Sequence, residues 1–282
     1  MIYTFYSFKG GVGRSMTLAN VAELFYRAGL KVLMVDWDLE APGLDRFFFG
    51  DKEAVEEVLD KPGVIEMLLD YKDQMSQDFS ADEKETFPFK KPKDLILDIY
   101  PNSEGKGKLY LLTAGRRSKR RFSEYANSVL SFDWKDFYNN WDGELYFEWL
   151  RGEFERDVDA VLIDSRTGVT EMGGVCTYQF ADVIVAFCSP NKQNLEGIYE
   201  MVQKFKNPDV IKLRNERPLE VLIIPSRVED RAETEQLNEF RQEFNEKFSD
   251  FAPKAIGDGP ESLWRLMIPY VPYFAFNEII AV

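Results

Sequence analysis

The sequence predicts an α/β protein, a doubly wound and mostly parallel β-sheet flanked by helices. Two patterns and one motif lead there. Short β-rich runs alternate along the chain with amphipathic helical stretches. Several of the runs are almost continuously apolar, as expected of strands buried on both faces. A glycine-rich segment, KGGVGRS at residues 9–15, joins the first such run to the first helical stretch.

Taken in order, strands are expected at IYTFYS (2–7), KVLMVD (31–36), LYLLT (109–113), DAVLID (159–164), DVIVAFC (182–188) and EVLIIP (220–225). A helix is expected over 15–28, stopped by Gly29, a residue that accepts the left-handed backbone of a helix end. Leu195, Ile198, Tyr199, Val202 and Phe205 recur at helical spacing within 192–206, and Leu237, Phe240, Phe244 and Phe248 do so further on. Such stripes read as faces packed on a core. Two regions break the alternation. Residues 72–108 are charged and carry Pro88, Pro92 and Pro101, which suits an irregular insertion. Residues 116–156 are rich in aromatics (FDWKDFYNNWDGELYFEWL) and suit a helical excursion packed on the sheet. With no internal repeat and no linker, residues 1–282 are expected to form one domain.

Composition narrows the chemistry. A 45% hydrophobic content over 282 residues supports a sizeable core. Forty-nine acidic against 35 basic residues give a net charge of −14, which repels nucleic acid and anionic lipid unless the basic residues cluster. Two cysteines make no disulfide framework, so a reducing, cytoplasmic location is expected. The opening MIYTFYSF has no basic n-region and no cleavage site, so no signal peptide is expected. No run of 18 apolar residues is present to span a membrane. The absence of histidine excludes serine–histidine triads, histidine general bases and histidine-ligated zinc.

The glycine-rich segment has the context of a phosphate-binding loop, between a strand and a helix. Gly10, Gly11 and Gly13 let successive backbone N–H groups turn inward toward an anion, and the helix that follows adds its positive end. Ser15 stands where such loops offer a hydroxyl to Mg²⁺. The strict pattern G-x-x-x-x-G-K-[ST] nevertheless fails twice, with Phe8 in place of the first glycine and Arg14 in place of the lysine. Strand-end carboxylates accompany the loop. Asp36 and Asp38 close the second strand in VDWDLEAPGLD, and Asp164 ends another in DAVLIDSRTG. Each alone reads equally as a strand-end cap. Together with the loop they point to a phosphate–magnesium site at the carboxyl edge of the sheet. Gly168 follows Asp164 closely enough to let a loop swing toward a γ-phosphate.

These residues resemble a known family. KGGVGRS resembles the deviant Walker A motif K-G-G-x-G-K-[ST] of ParA/MinD P-loop ATPases of the SIMIBI class. VDWDLEAPGL resembles that family's switch I, VLIDSRTG its Walker B and switch II, and VPYFAFNE (271–278) the segment covering the adenine. More narrowly, KGGVGR with DLEAPGLD and LIDSRTG is similar to the KGGVGR-motif variant ATPases, proteins that accompany bacterial conflict and signalling modules. The resemblance implies ATP and Mg²⁺ as ligands, held by Lys9, Gly10, Gly11, Val12, Gly13, Arg14, Ser15 and Met16. It further implies Gly168, Ser226, Arg227, Pro272, Tyr273 and Phe274 at the nucleotide. Lys9 would reach the phosphates of a second copy, sandwiching two nucleotides in an ATP-dependent homodimer. Asp38 would orient the attacking water, while Ser15, Asp36 and Asp164 would hold magnesium. Ser226 stands where relatives often carry an adenine-reading asparagine.

Arg14 is the larger departure. A guanidinium is longer than an ammonium, planar and permanently charged, and its fork can grip two phosphate oxygens. Binding should survive the exchange, and turnover should be slow, since misplacement by about 1 Å can cost ~100-fold in rate. The expected function is a slow ATPase switch that regulates a partner protein. A hydrolysis-poor, nucleotide-bound scaffold for an effector is the alternative, and a DNA-partitioning ATPase is less favoured.

Other features are set against plain structural readings. Arg116, Arg117, Lys119, Arg120 and Arg121 form the one dense basic run, either a solvated loop or a contact for an acidic partner or nucleic acid. The ending FNEIIAV is too short for the basic amphipathic membrane helix of MinD relatives. Cys176 and Cys188 read as buried thiols rather than ligands of an iron–sulfur cluster, because Cys188 lies in an apolar strand and no CxxC occurs.

Overall fold

The computed structural model describes residues 1–50, 52–76, 90–101, 107–168, 174–205, 207–214, 216–229, 234–257, 259 and 261–282. Its strands are β1 (Ile2–Ser7), β2 (Lys31–Asp36), β3 (Leu97–Asp98), β4 (Lys108–Leu112), β5 (Ala160–Asp164), β6 (Val183–Cys188), β7 (Glu220–Val228) and β8 (Ile268–Pro269). They form one mostly parallel sheet in the order β3-β4-β2-β5-β1-β6-β7-β8, with β3 antiparallel to β4. The helices are α1 (Arg14–Arg27), α2 (Lys52–Leu59), α3 (Val64–Met75), α4 (Phe122–Ser131), α5 (Trp134–Asn140) and α6 (Gly143–Glu155). Beyond them come α7 (Lys192–Phe205), α8 (Pro208–Leu213), α9 (Thr234–Phe248) and α10 (Pro272–Asn277). No helix among the described residues is long and apolar enough to cross a membrane.

The chain groups into two compact units, one of Val21–Ile163 with Met1, the other of Ile2–Asn20 and Asp164–Val282. In the first, β2 runs parallel to β4, and Val32 to Asp36 are all buried. The N-terminus of α3 docks on the end of β4, where Val64 N–H donates to Thr113 O at 2.9 Å and Ile65 N–H to Ala114 O at 3.1 Å. Gly63 makes this approach possible, because a methyl group there would overlap the Thr113 carbonyl. Helices α4, α5 and α6 occupy the aromatic stretch. Their rings pack on one another, with Phe137 and Phe147 at 5.4 Å, and on rings outside them, with Tyr71 of α3 and Tyr146 at 4.3 Å, and Trp37 after β2 and Phe147 at 6.1 Å. Each buried ring contributes about 1.5–3 kcal/mol through apolar burial. Phe122, Leu130 and Leu145 of these helices face solvent.

Of the charged stretch 72–108, segments 77–89 (with Pro88) and 102–106 lie outside the described residues. The rest supplies the end of α3, a short turn at Pro92–Asp94, and β3.

In the second unit, β1, β6 and β7 run parallel, with Tyr3 to Ser7 opposite Val183 to Phe187, and Val183 to Cys188 opposite Glu220 to Pro225. Both helical stripes read from the sequence are packed. Leu195, Ile198, Val202 and Phe205 of α7 and Phe240, Phe244 and Phe248 of α9 share one core with Tyr6 and Trp264, and Tyr199 and Leu237 flank it. Phe8 turns its ring onto α7 at Gly197, a position where any side chain would overlap that ring. Strand β7 runs past its expected end at 225 to Val228. Its pairing with β8 shifts register between Ser226 and Val228, and Arg227 there takes a left-handed φ of 55°.

Candidate nucleotide-binding site

Between the carboxyl end of β1 and α1 the chain makes the turn that phosphate loops require. Gly11 and Gly13 have φ of 75° and 85°, backbone that L side chains rarely adopt. Thr17 secures the exit, its N–H and its hydroxyl both donating to Gly13 O at 2.9 Å. Ser15 is half-buried in the first turn of α1. Nearby, Gly168 (φ 77°) donates its N–H to Ser7 O at 3.1 Å, and the Ser165 hydroxyl donates to Phe5 O at 2.9 Å. The segment after β5 is thereby held against β1.

Three cations surround this loop, each already engaged. Arg14 Nε donates to Asp164 Oδ1 at 2.5 Å, with side chains only 7% and 3% exposed, and a second nitrogen lies 3.3 Å from Ser7 Oγ. Lys9 Nζ donates to Gln193 Oε1, on the first turn of α7. Arg227 donates to the Gly11 carbonyl, and its guanidinium lies 4.5 Å from the Tyr270 ring centroid. A cavity of about 580 Å³ opens here, lined by Lys9, Gly10, Gly11, Ser189, Asn194 and Arg227.

Asn194 is 3% exposed, and its amide NH₂ donates to Ser189 Oγ at 2.8 Å and Asn191 Oδ1 at 3.1 Å. That fixes the amide orientation, and its Oδ1 has no partner among the described residues. The Ser226 hydroxyl, 1% exposed, also lacks one. Buried polar atoms left in this way are uncommon in folded proteins. Pro272, Tyr273 and Phe274 begin α10, with the Tyr273 ring 63% exposed and edge-on to Phe274 at 5.4 Å.

Asp36 and Asp38 belong to the other unit, at the end of β2. Asp36 Oδ2 accepts from the N–H groups of Gly43 and Leu44, each at 3.1 Å, so one of its oxygens serves as a turn cap. Asp38 is 9% exposed. The segment between them and α2 is tied by Tyr125, whose hydroxyl donates to Leu39 O at 2.7 Å, and by a buried ion pair of Arg117 and Asp45 at 2.5 Å. Burial pushes the Tyr125 hydroxyl pKa up, keeping it a donor.

The basic run differs from a single solvated patch. Arg117 is buried, Arg120 pairs with Asp60 at 3.0 Å, and Arg121 pairs with Glu124 at 3.2 Å. With three of five cations matched to carboxylates, we expect little affinity for DNA. The check is a duplex titration at low and physiological salt, where phosphate-dominated binding falls steeply. Tight binding persisting at physiological salt would contradict the expectation. Cys176 and Cys188 are both buried, and burial raises the Cys188 thiol pKa.

Sequence reasoning singled out the loop, Asp164 and Ser226, but missed Gln193, Asn194 and the Phe8–Gly197 packing. The one available signal was SPNKQN directly after an apolar strand, a polar cluster at the carboxyl edge of the sheet.

A glycine loop opening a helix on a mostly parallel sheet is the architecture of P-loop nucleotide-binding proteins. The chain matches the CobQ/CobB/MinD/ParA nucleotide binding domain over residues 3–257 and belongs to that family. Solved structures share its fold. The pNOB8 ParA bound to nonspecific DNA is 17% identical, with a TM-score of 0.59 over 97% of this chain and 85% of that one. The ATP complex of Cyanothece McdA(D38A) is 14% identical, with a TM-score of 0.59 over 89% and 80%. The septum site-determining protein MinD with Mg-ADP from Pyrococcus horikoshii OT3 is 15% identical, with a TM-score of 0.53 over 98% and 84%. No curated protein matches the chain significantly.

Proposed function

We propose that this protein is a cytoplasmic ATP-binding switch that hydrolyses ATP slowly, dimerises around two nucleotides and thereby regulates a partner protein, with residues 1–282 acting as one ATPase domain. The observation that carries the reading is the loop itself. Two left-handed glycines open α1 beside a buried strand-end carboxylate, Asp164, and a buried cation, Arg14. Backbone N–H groups of residues 10–15 cradle the phosphates, and Arg14 neutralises them from the same subunit. Lys9 serves the nucleotide of the second copy, as its place in the family's deviant Walker A motif implies. Ser15, Asp36 and Asp164 are the residues that the resemblance assigns to Mg²⁺, all of them oxygen donors of the kind a hard cation takes. Held there, the ion would supply positive charge to neutralise the phosphates. Asp38 orients the attacking water, the task for which a chain without histidine needs a carboxylate. The unpartnered Ser226 hydroxyl supports a base-reading role, with Arg227, Pro272, Tyr273 and Phe274 about the base.

Sedimentation tests the reading. With a non-hydrolysable ATP analogue and Mg²⁺ the protein should sediment as a larger species than with ADP, and identical profiles would count against it. Asp38→Ala should keep that larger species and lose hydrolysis by at least about 100-fold in a phosphate-release assay. Hydrolysis at the parent rate would remove Asp38 from its role.

The scaffold alternative draws on one observation, that Arg14 faces a carboxylate in the same chain. Phosphate release below background in the parent, with dimerisation intact, would favour it.

A further inference from the structure

The cation and the carboxylate that a metal–nucleotide site needs are, in this chain, each other's counter-ion. Arg14 Nε and Asp164 Oδ1 are 2.5 Å apart, and both side chains are at least nine-tenths buried. Ser7 Oγ, 3.3 Å from another guanidinium nitrogen, holds the fork in that direction. An arginine cannot relax such a pair by giving up its proton, as a buried lysine can.

From this geometry we propose that the Arg14–Asp164 pair is a latch, so that the site admits its nucleotide as the magnesium complex and turns away the metal-free form. The proposal rests on the nucleotide-binding reading above and specifies the form of the ligand that the site accepts.

The reasoning follows the charges. When phosphates draw Arg14 away, Asp164 is left as a buried carboxylate without its cation, a strongly unfavourable arrangement. A divalent cation arriving with the phosphates takes the place of the guanidinium at Asp164. Metal-free nucleotide brings negative charge and nothing for the carboxylate, so it has to break the pair uncompensated. The coupling is reciprocal: metal alone meets an Asp164 already neutralised by Arg14, and therefore binds weakly until phosphate removes the arginine.

The distinguishing variant is Asp164→Asn. If Asp164 acted only as a metal ligand and a negative charge, the change would lower affinity in Mg²⁺ and raise metal-free affinity equally in the parent and in an Arg14→Gln background. The latch requires the metal-free gain to vanish once Arg14 is gone. With the latch, the same change frees Arg14 for phosphate, and metal-free affinity rises. The experiment is equilibrium titration of the full chain with a fluorescent ATP analogue, in excess Mg²⁺ and in EDTA. We expect the parent to bind at least about 100-fold more weakly in EDTA, and Asp164→Asn to bind the metal-free analogue about tenfold more tightly than the parent does. Metal-free affinity that is unchanged or weaker in Asp164→Asn overturns the latch, as does an equal gain in the Arg14→Gln background.

A second arm needs no nucleotide. Mn²⁺ binding followed by electron paramagnetic resonance should be about tenfold tighter in Arg14→Gln than in the parent, because the carboxylate is released. Equal Mn²⁺ affinity overturns the latch as well. The parent comparison requires no variant to fold. Equal affinity with and without Mg²⁺ removes the latch and leaves the nucleotide-binding reading standing, whereas no binding in either condition removes both.

Discussion

Arg14→Ala is expected to lower the Mg²⁺–ATP affinity of the single chain about tenfold or more, whereas Lys9→Ala leaves that affinity within about twofold and abolishes the nucleotide-dependent dimer. The two cations sit in one loop but differ in setting. Arg14 is buried at the first position of α1, beside Asp164. Lys9 is only half-buried, at the rim of the cavity, with its ammonium resting on Gln193. A charge-assisted hydrogen bond lost from a buried nest costs about 1.5–3 kcal/mol, which is roughly tenfold or more in affinity. Nothing comparable is lost inside the subunit when Lys9 is shortened, if its phosphate partner lies in the second copy. Isothermal titration gives the affinities and sedimentation gives the dimer. Equal weakening of single-chain binding by both changes would place both cations on one nucleotide and end the division of labour. Arg14→Lys adds direction. A rise in turnover would mark arginine as a slow substitute, and a fall would mark a loop adapted to the guanidinium fork.

The second large effect concerns folding. Asp45→Ala should destabilise the protein by about 3–5 kcal/mol, because it strands the Arg117 charge in a site only 7% exposed. Arg120→Ala makes the contrast. That arginine also pairs with an aspartate, at 3.0 Å, yet its side chain is 79% exposed, and exposed pairs contribute about 0–1 kcal/mol. Urea denaturation of both variants provides the comparison, and the idea fails if the two midpoints shift alike. The affected segment is 39–47, directly after Asp38. Arg117 thus fixes the stretch whose sequence resembles switch I, a role invisible while it looked like one more charge in GRRSKRR.

Arg117 shows where reading a sequence stops. Strands β2, β5 and β6 were legible because burial on both faces forces continuous apolar runs, and the loop was legible because left-handed backbone selects glycine. The stripes on α7 and α9 followed from helical spacing alone. Pairings between distant residues leave no such trace. Asp45 lies 72 positions from Arg117, Asp164 lies 150 from Arg14, and Gln193 lies 184 from Lys9. The two-residue strands β3 and β8 are too short to show any alternation, and they exist because a longer neighbour offers its edge. The expected end of β7 at 225 falls short, because the strand continues past Pro225 through a bulge to Val228.

The substitution of phenylalanine for the first glycine of the strict loop pattern has a mechanical consequence. The ring of Phe8 fits the notch that Gly197 leaves in α7, like a key in its slot. Interiors are packed densely enough that such a fit has no slack to absorb movement. The fit ties the residue just before the phosphate loop to α7, so that any side chain at Gly197 would displace Phe8 and with it the entry to the loop.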